Sequence, residues 1–71
     1  MTTHKVLVVR VMNDIAYADD ERIDKERLIA FSFGKIKGYK GQTAKELNLR
    51  AGRQVILQYD STNKVNSVEL A

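Results

Sequence analysis

Arg27 to Gly41 reads RLIAFSFGKIKGYKG. The stretch holds both Phe, one of three Tyr, three of four Gly and four of twelve Lys+Arg, so rings, charge and backbone freedom coincide there. Read as a strand, it alternates two faces. Ile29, Phe31, Phe33, Lys35, Lys37 and Tyr39 fall on one face, which is large, aromatic and cationic. Leu28, Ala30, Ser32, Gly34, Ile36 and Gly38 fall on the other, which is small and largely apolar and suits packing against a second layer. A strand here means a β-rich domain. The competing assignment buries Ile29, Phe31 and Phe33 and leaves the lysines to begin an exposed loop.

The flanks support a sheet. His4 to Met12, HKVLVVRVM, is apolar on both strand faces and reads as a central strand. Arg10 interrupts it and must snorkel to an edge or pair with an acid. Asn13 and Asp14 mark a turn. Arg53 to Tyr59 is a further strand, Asp60 to Lys64 a hairpin loop, and Val65 to Leu70 the returning strand. Val65 and Val68 have opposite parity, which implies a bulge near Asn66 and Ser67.

Helix is expected in two short pieces. Glu21–Lys25 and Arg22–Glu26 are i,i+4 opposite-charge pairs that favour a helix near 19–26, with Asp19 or Asp20 as its cap and Ile23 as its apolar anchor. Thr43 and Glu46 have capping-box spacing, which predicts a helical turn over 43–49 with Ala44 and Leu47 on one side. The fold class expected is therefore β-rich α+β: a single domain, residues 1–71, with a curved antiparallel sheet or an OB/SH3-like barrel of four strands (4–12, 27–37, 53–59, 64–70) and one or two short helices. The alternative is a KH-like α+β layout.

Two family resemblances attach to particular residues. Ile36 to Leu47, IKGYKGQTAKEL, resembles the KH nucleic-acid-binding module, in which an apolar residue, a G-x-x-G loop and a helix clamp backbone nucleotides. The segment LNLRAGRQVILQYDSTNKVNSVEL is similar to the second half of swapped-hairpin DNA-binding regulators of the AbrB/MazE type, a short helix, a turn and a hairpin. Both resemblances imply a nucleic-acid partner.

Composition narrows the function classes. With no Cys and a single His, disulfides, thiolate metal sites and His clusters are excluded, and no metal or other cofactor is expected. His4 is expected at the surface without chemistry. The acids between Asp19 and Glu26 lack the alternation and central Gly of a calcium loop and read as a solvated segment. Ser32, Ser61 and Ser67 have only His4 as an imidazole partner and no G-x-S-x-G elbow, so a non-enzyme with no catalytic residue is expected. No apolar run reaches the ~20 residues of a membrane span and no signal-peptide pattern opens the chain, which implies no membrane partner and a cytoplasmic location. A chain this short buries only about 60% of its unfolded surface, which favours a homodimer.

The net charge of +3 is unevenly spread. Residues 35–53 hold six cations and one acid, whereas the segments on either side are each net negative. Clustered cations beside aromatic rings are what single-stranded DNA or RNA requires, charge for phosphates and π-faces for bases. The residues expected to carry binding are Phe31, Phe33, Lys35, Lys37, Tyr39, Lys40, Lys45, Arg50 and Arg53. The rival expectation is a protein-interaction module, a small inhibitor, adaptor or subunit, offering the aromatic strand as an edge.

Overall fold

The computed structural model describes residues 2–71. These form five strands: β1 (Thr2–Met12), β2 (Ile15–Asp19), β3 (Ile29–Ser32), β4 (Gln54–Tyr59) and β5 (Val65–Leu70). All pair antiparallel in one sheet of order β3-β2-β1-β4-β5, which curls into a half-barrel. β1 is the central strand, as its two-sided apolar pattern implies. Its first half pairs with β4 and its second half with β2.

The changeover is marked by a bulge. Val8 faces Ala18 and Arg10 faces Tyr17, so Val9 is an extra residue in β1. Inward-facing Val6 and Val8 fix one parity, and the bulge flips it. Val11 then packs on the core, while Arg10 turns outward with no buried charge to compensate. A second bulge falls where the parity of Val65 and Val68 requires it. Gln58 faces Ser67 and Tyr59 faces Val65, leaving Asn66 as the extra residue.

The core consists of Val6 and Val8 of β1, Ala16 and Ala18 of β2, Phe31, Val55, Leu57, Tyr59 and Val68 from the other strands, and Phe33, Ile36 and Leu49 from the long β3–β4 connection. Ala16 lies opposite Phe31 in the ladder, a small residue beside a large one on the inner face.

Three expectations are corrected. There are five strands, not four, because Ile15–Asp19 is a strand whose buried residues are alanines. The helix near 19–26 does not form: β2 runs through Asp19 and is followed by a tight turn with Ile23 and Asp24 amides donating to the Asp20 carbonyl. The Asp24 carboxylate then accepts from the amides of Glu26 and Arg27 and directs the chain into β3. One apolar anchor cannot hold a helix whose first residues are drawn into the core. The strand expected over 27–37 ends at Ser32, where Phe33–Lys35 make a 3-10 turn. That turn breaks the alternation, so Ile36 points inward although its parity predicts otherwise.

The turn after Thr43 forms as expected, but as a single turn. Thr43 and Glu46 cap each other through Thr43 N–H to Glu46 Oε1 at 2.9 Å and Glu46 N–H to Thr43 Oγ1 at 3.2 Å. Asn48, at φ 57°, ends it and drops Leu49 into the core. Among the described residues there is no α-helix, which removes the KH-like alternative. No helix among them is long and apolar enough to cross a membrane.

Candidate nucleic-acid interface

Phe31 and Phe33 are core residues, 3% and 2% exposed. Neither ring can stack on a base. The face expected to be wet is the inner one, and Leu28, Ala30 and Ser32, expected to be its backing, are exposed. Tyr39 is half-buried. Its ring meets Phe33 edge-on at 6.1 Å, and its hydroxyl donates to the Gln42 carbonyl at 3.1 Å. It closes over the core beside Gly38 and Gly41, which take φ 77° and 81° as the loop demands.

The six cations of residues 35–53 do not line one hollow. Lys35 lies beside the free edge of β3 with Lys64 across a hollow from it. Lys37 pairs with Glu69 of β5 at 3.7 Å. Lys40 and Lys45 project from the loop that carries the G-x-x-G element and the capped turn. Only Arg50 and Arg53 converge. They border an open groove of ≈ 770 Å³ whose other walls include Leu7, Gly52 and Gln54. Arg53 is half-buried, and its Nε has no hydrogen-bond partner among the described residues. Backbone bonds between Val8 and the Gly52–Arg53 pair fasten this turn to β1.

Leu7, a wall of the groove, stands on the outer face of β1 and β2. There Leu7, Val9, Met12 and Ile15 are exposed by 36–50%. Among them the Arg10 guanidinium lies 4.7 Å from the centre of the Tyr17 ring. Arg10 and Tyr17 are register partners, so the pairing follows from the ladder. Neither residue stood among the expected site residues. The signal was the V-V-R-V order of residues 8–11: two consecutive valines before an arginine allow a bulge that sends Arg10 outward.

A second polar cluster lies within the barrel. Asp20 is 2% exposed. Its Oδ2 accepts from His4 Nδ1 at 2.7 Å and from Tyr59 Oη at 2.8 Å. Its Oδ1 accepts from the backbone N–H and the Nε of Arg22 at 3.2 and 3.3 Å. Burial pushes the carboxyl up, but the bonds from His4 and Tyr59, with the smaller His4 and Arg22 contributions, outweigh it and leave its pKa below the ordinary value. Burial and the Asp20 charge push the Tyr59 phenol up. Two sequence expectations change here: His4 is mostly buried and bonded, and Asp20 is the interior anchor of the turn after β2. With four donors on two oxygens, Asp20 is saturated as an acceptor. The arrangement holds the turn against β1 and β4. Among the described residues no group of three metal-ligating side chains converges.

The resemblance to swapped-hairpin regulators holds in local order only, because the β4–β5 hairpin pairs with β1 of its own chain. No protein-family model matches the sequence, and no curated protein or solved structure matches it.

Proposed function

We propose that this protein binds single-stranded DNA or RNA on the outer face of β1 and β2 and along the adjoining Arg50–Arg53 groove, and that it has no catalytic role. The observation that carries the reading is the Arg10–Tyr17 pair, a partly exposed ring with an exposed guanidinium over its face, on the same side of the sheet as Leu7. Leu7 also walls the groove, roughly 10 Å along the strand from Arg10 at the usual strand rise. Base stacking on the Arg10–Tyr17 pair, whose guanidinium plane and ring both offer a π-surface, with phosphates at Arg50 and Arg53, fits the chemistry of single-strand binding.

The architecture supports the same reading. The order β3-β2-β1-β4-β5 in a partly open barrel favours assignment to the OB type. Such barrels take oligonucleotides on the face of strands 2 and 3 and the adjoining loops. Tyr17 lies on β2. The site proposed thus keeps Arg50 and Arg53 from the sequence expectation, adds Arg10 and Tyr17, and drops Phe31, Phe33 and Tyr39 as stacking groups.

The test is fluorescence anisotropy with labelled oligo(dT) and oligo(U) of about 15 nucleotides, a length that covers an OB-type site. Binding is expected at low salt and is expected to weaken steeply as salt rises. Absence of binding at low salt, or affinity indifferent to salt, overturns the reading.

A further inference from the structure

The half-barrel does not close along its whole length. β5 meets the chain after β3 at one point, a parallel bridge between Ile36 and Val68 in which Lys37 N–H donates to the Val68 carbonyl at 2.8 Å. Beyond that bridge β3 and the start of β5 diverge around a slot of ≈ 450 Å³. Leu28, Ala30, Ser32 and Val65 line it, and Lys35 and Lys64 stand at its rim. The volume is in the range of peptide- and ligand-sized pockets.

One wall of this slot is an unpaired strand edge. β3 lies at the end of the sheet and pairs only with β2. Phe33 N–H donates to the Asp14 carbonyl, which fixes the phase of the ladder. In an antiparallel pair, hydrogen-bonded and non-bonded positions alternate. Phe31 and Ile29 therefore bond to β2, while Ala30 and Ser32 turn their N–H and C=O groups toward the slot. Among the described residues no backbone group bonds to them there.

We propose that the slot binds an extended peptide segment of a partner protein, with alternating apolar side chains and acidic residues at its flanks, added as a sixth strand on β3. Backbone groups of Ala30 and Ser32 supply the ladder, and the apolar wall of Leu28 and Val65 takes every second side chain. Lys35 and Lys64 supply the charge that selects acidic flanks. The same charges argue against a second copy of this chain as occupant. A second β3 edge would bring two more lysines to a rim that already carries two, whereas the acidic flanks of a peptide neutralise it. The inference rests on the free edge and the slot, not on the outer face proposed for nucleic acid, so either can fail alone.

The experiment is selection from a displayed library of random peptides about nine residues long, followed by amide hydrogen exchange with the selected peptide, because strand addition shows as new backbone protection. The peptides selected are expected to be extended, apolar at alternate positions and acidic at the ends. Protection of the Ala30 and Ser32 amides is expected to rise about tenfold or more on binding. The doubly charge-reversed variant Lys35→Glu/Lys64→Glu, altered only at exposed positions, should bind about tenfold more weakly. Ser32→Pro is a second probe. Ser32 has φ −81°, compatible with proline, so the fold is retained while the slot-facing donor is lost and binding falls. Failure to enrich any peptide overturns the proposal, as does protection elsewhere than at Ala30 and Ser32. It is overturned equally if charge reversal leaves affinity unchanged, or if those two amides become protected in the free protein as its own concentration rises, which would make a second copy the occupant.

Discussion

Tyr59 Oη donates to Asp20 Oδ2 at 2.8 Å, joining β4 to the turn after β2 across thirty-nine positions of sequence. Both side chains are fully buried. The bond places a carboxylate inside a small barrel and ties the fate of the turn to its ionisation. The folded pKa of Asp20 lies below its ordinary value. Its contribution to stability is therefore fully present above the unfolded carboxylate pKa of about 3.9, and it is lost as pH falls through the lower folded value. Asp20→Asn should lower stability at neutral pH by roughly 3 kcal/mol, since it removes charge-assisted bonds and strands buried donors. It should also flatten the acid side of the stability profile. Urea unfolding at a series of pH values, wild type against variant, measures both.

Tyr59→Phe separates the hydrogen bond from the burial. The ring stays in place and the loss should be about 1–2 kcal/mol at neutral pH. Without the phenol the folded pKa of Asp20 rises toward its ordinary value, so the acid transition should begin at higher pH. At the alkaline end the sign reverses. The folded phenol is held above its ordinary range. It stabilises the fold below about pH 10 and loses that contribution as pH rises further, a loss the Phe variant lacks. Circular dichroism melts across both limbs show the two displacements.

The location of the two Phe rings is checked by contrast with Tyr17. Phe33→Ala empties the core and should cost about 3–5 kcal/mol, close to the whole stability of a domain this size. Tyr17→Ala removes a partly exposed ring and its cation–π pairing with Arg10, and should cost about 1 kcal/mol. Equal and small losses at both positions would mean that Phe33 is not interior.

What the sequence disclosed, and what it hid, depends on side-chain size. β1, β4 and β5 are legible because they are dense in Val, Ile, Leu and Tyr and bounded by turn residues, and the Asn66 bulge follows from two valines of unequal parity. β2 is hidden because its buried residues, Ala16 and Ala18, are too small to raise a hydrophobic signal; they matter only because Phe31 fills the space beside one of them. The charged run 19–26 looks helical because charge pairs are local, whereas the group that decides its shape, Tyr59, is remote in sequence. The face error over 27–41 has a similar origin. Alternation predicts which residues share a face but not which face is wet, and Gly34 sits in the turn that ends the alternation. Of the expected site, Arg50 and Arg53 converge, while the ring that accompanies exposed charge is Tyr17.

The proposed interface makes a quantitative claim about salt. Each cation that neutralises one phosphate of a single strand adds about 0.7 to the slope of log affinity against log salt. Arg50→Gln should reduce the slope by about that amount, and adding Arg53→Gln should reduce it by about the same again. Lys37→Gln should leave it unchanged, because Lys37 is paired with Glu69 and does not line the groove. Tyr17→Ala acts on stacking, not on phosphate charge. It should weaken binding by about 1–3 kcal/mol at every salt concentration and leave the slope close to wild type. Titrations of labelled oligo(dT) over a range of salt concentrations distinguish the two classes. A Tyr17→Ala protein that binds as tightly as wild type would remove the outer face of β1 and β2 from the interface, and an Arg50→Gln protein with an unaltered slope would remove the groove.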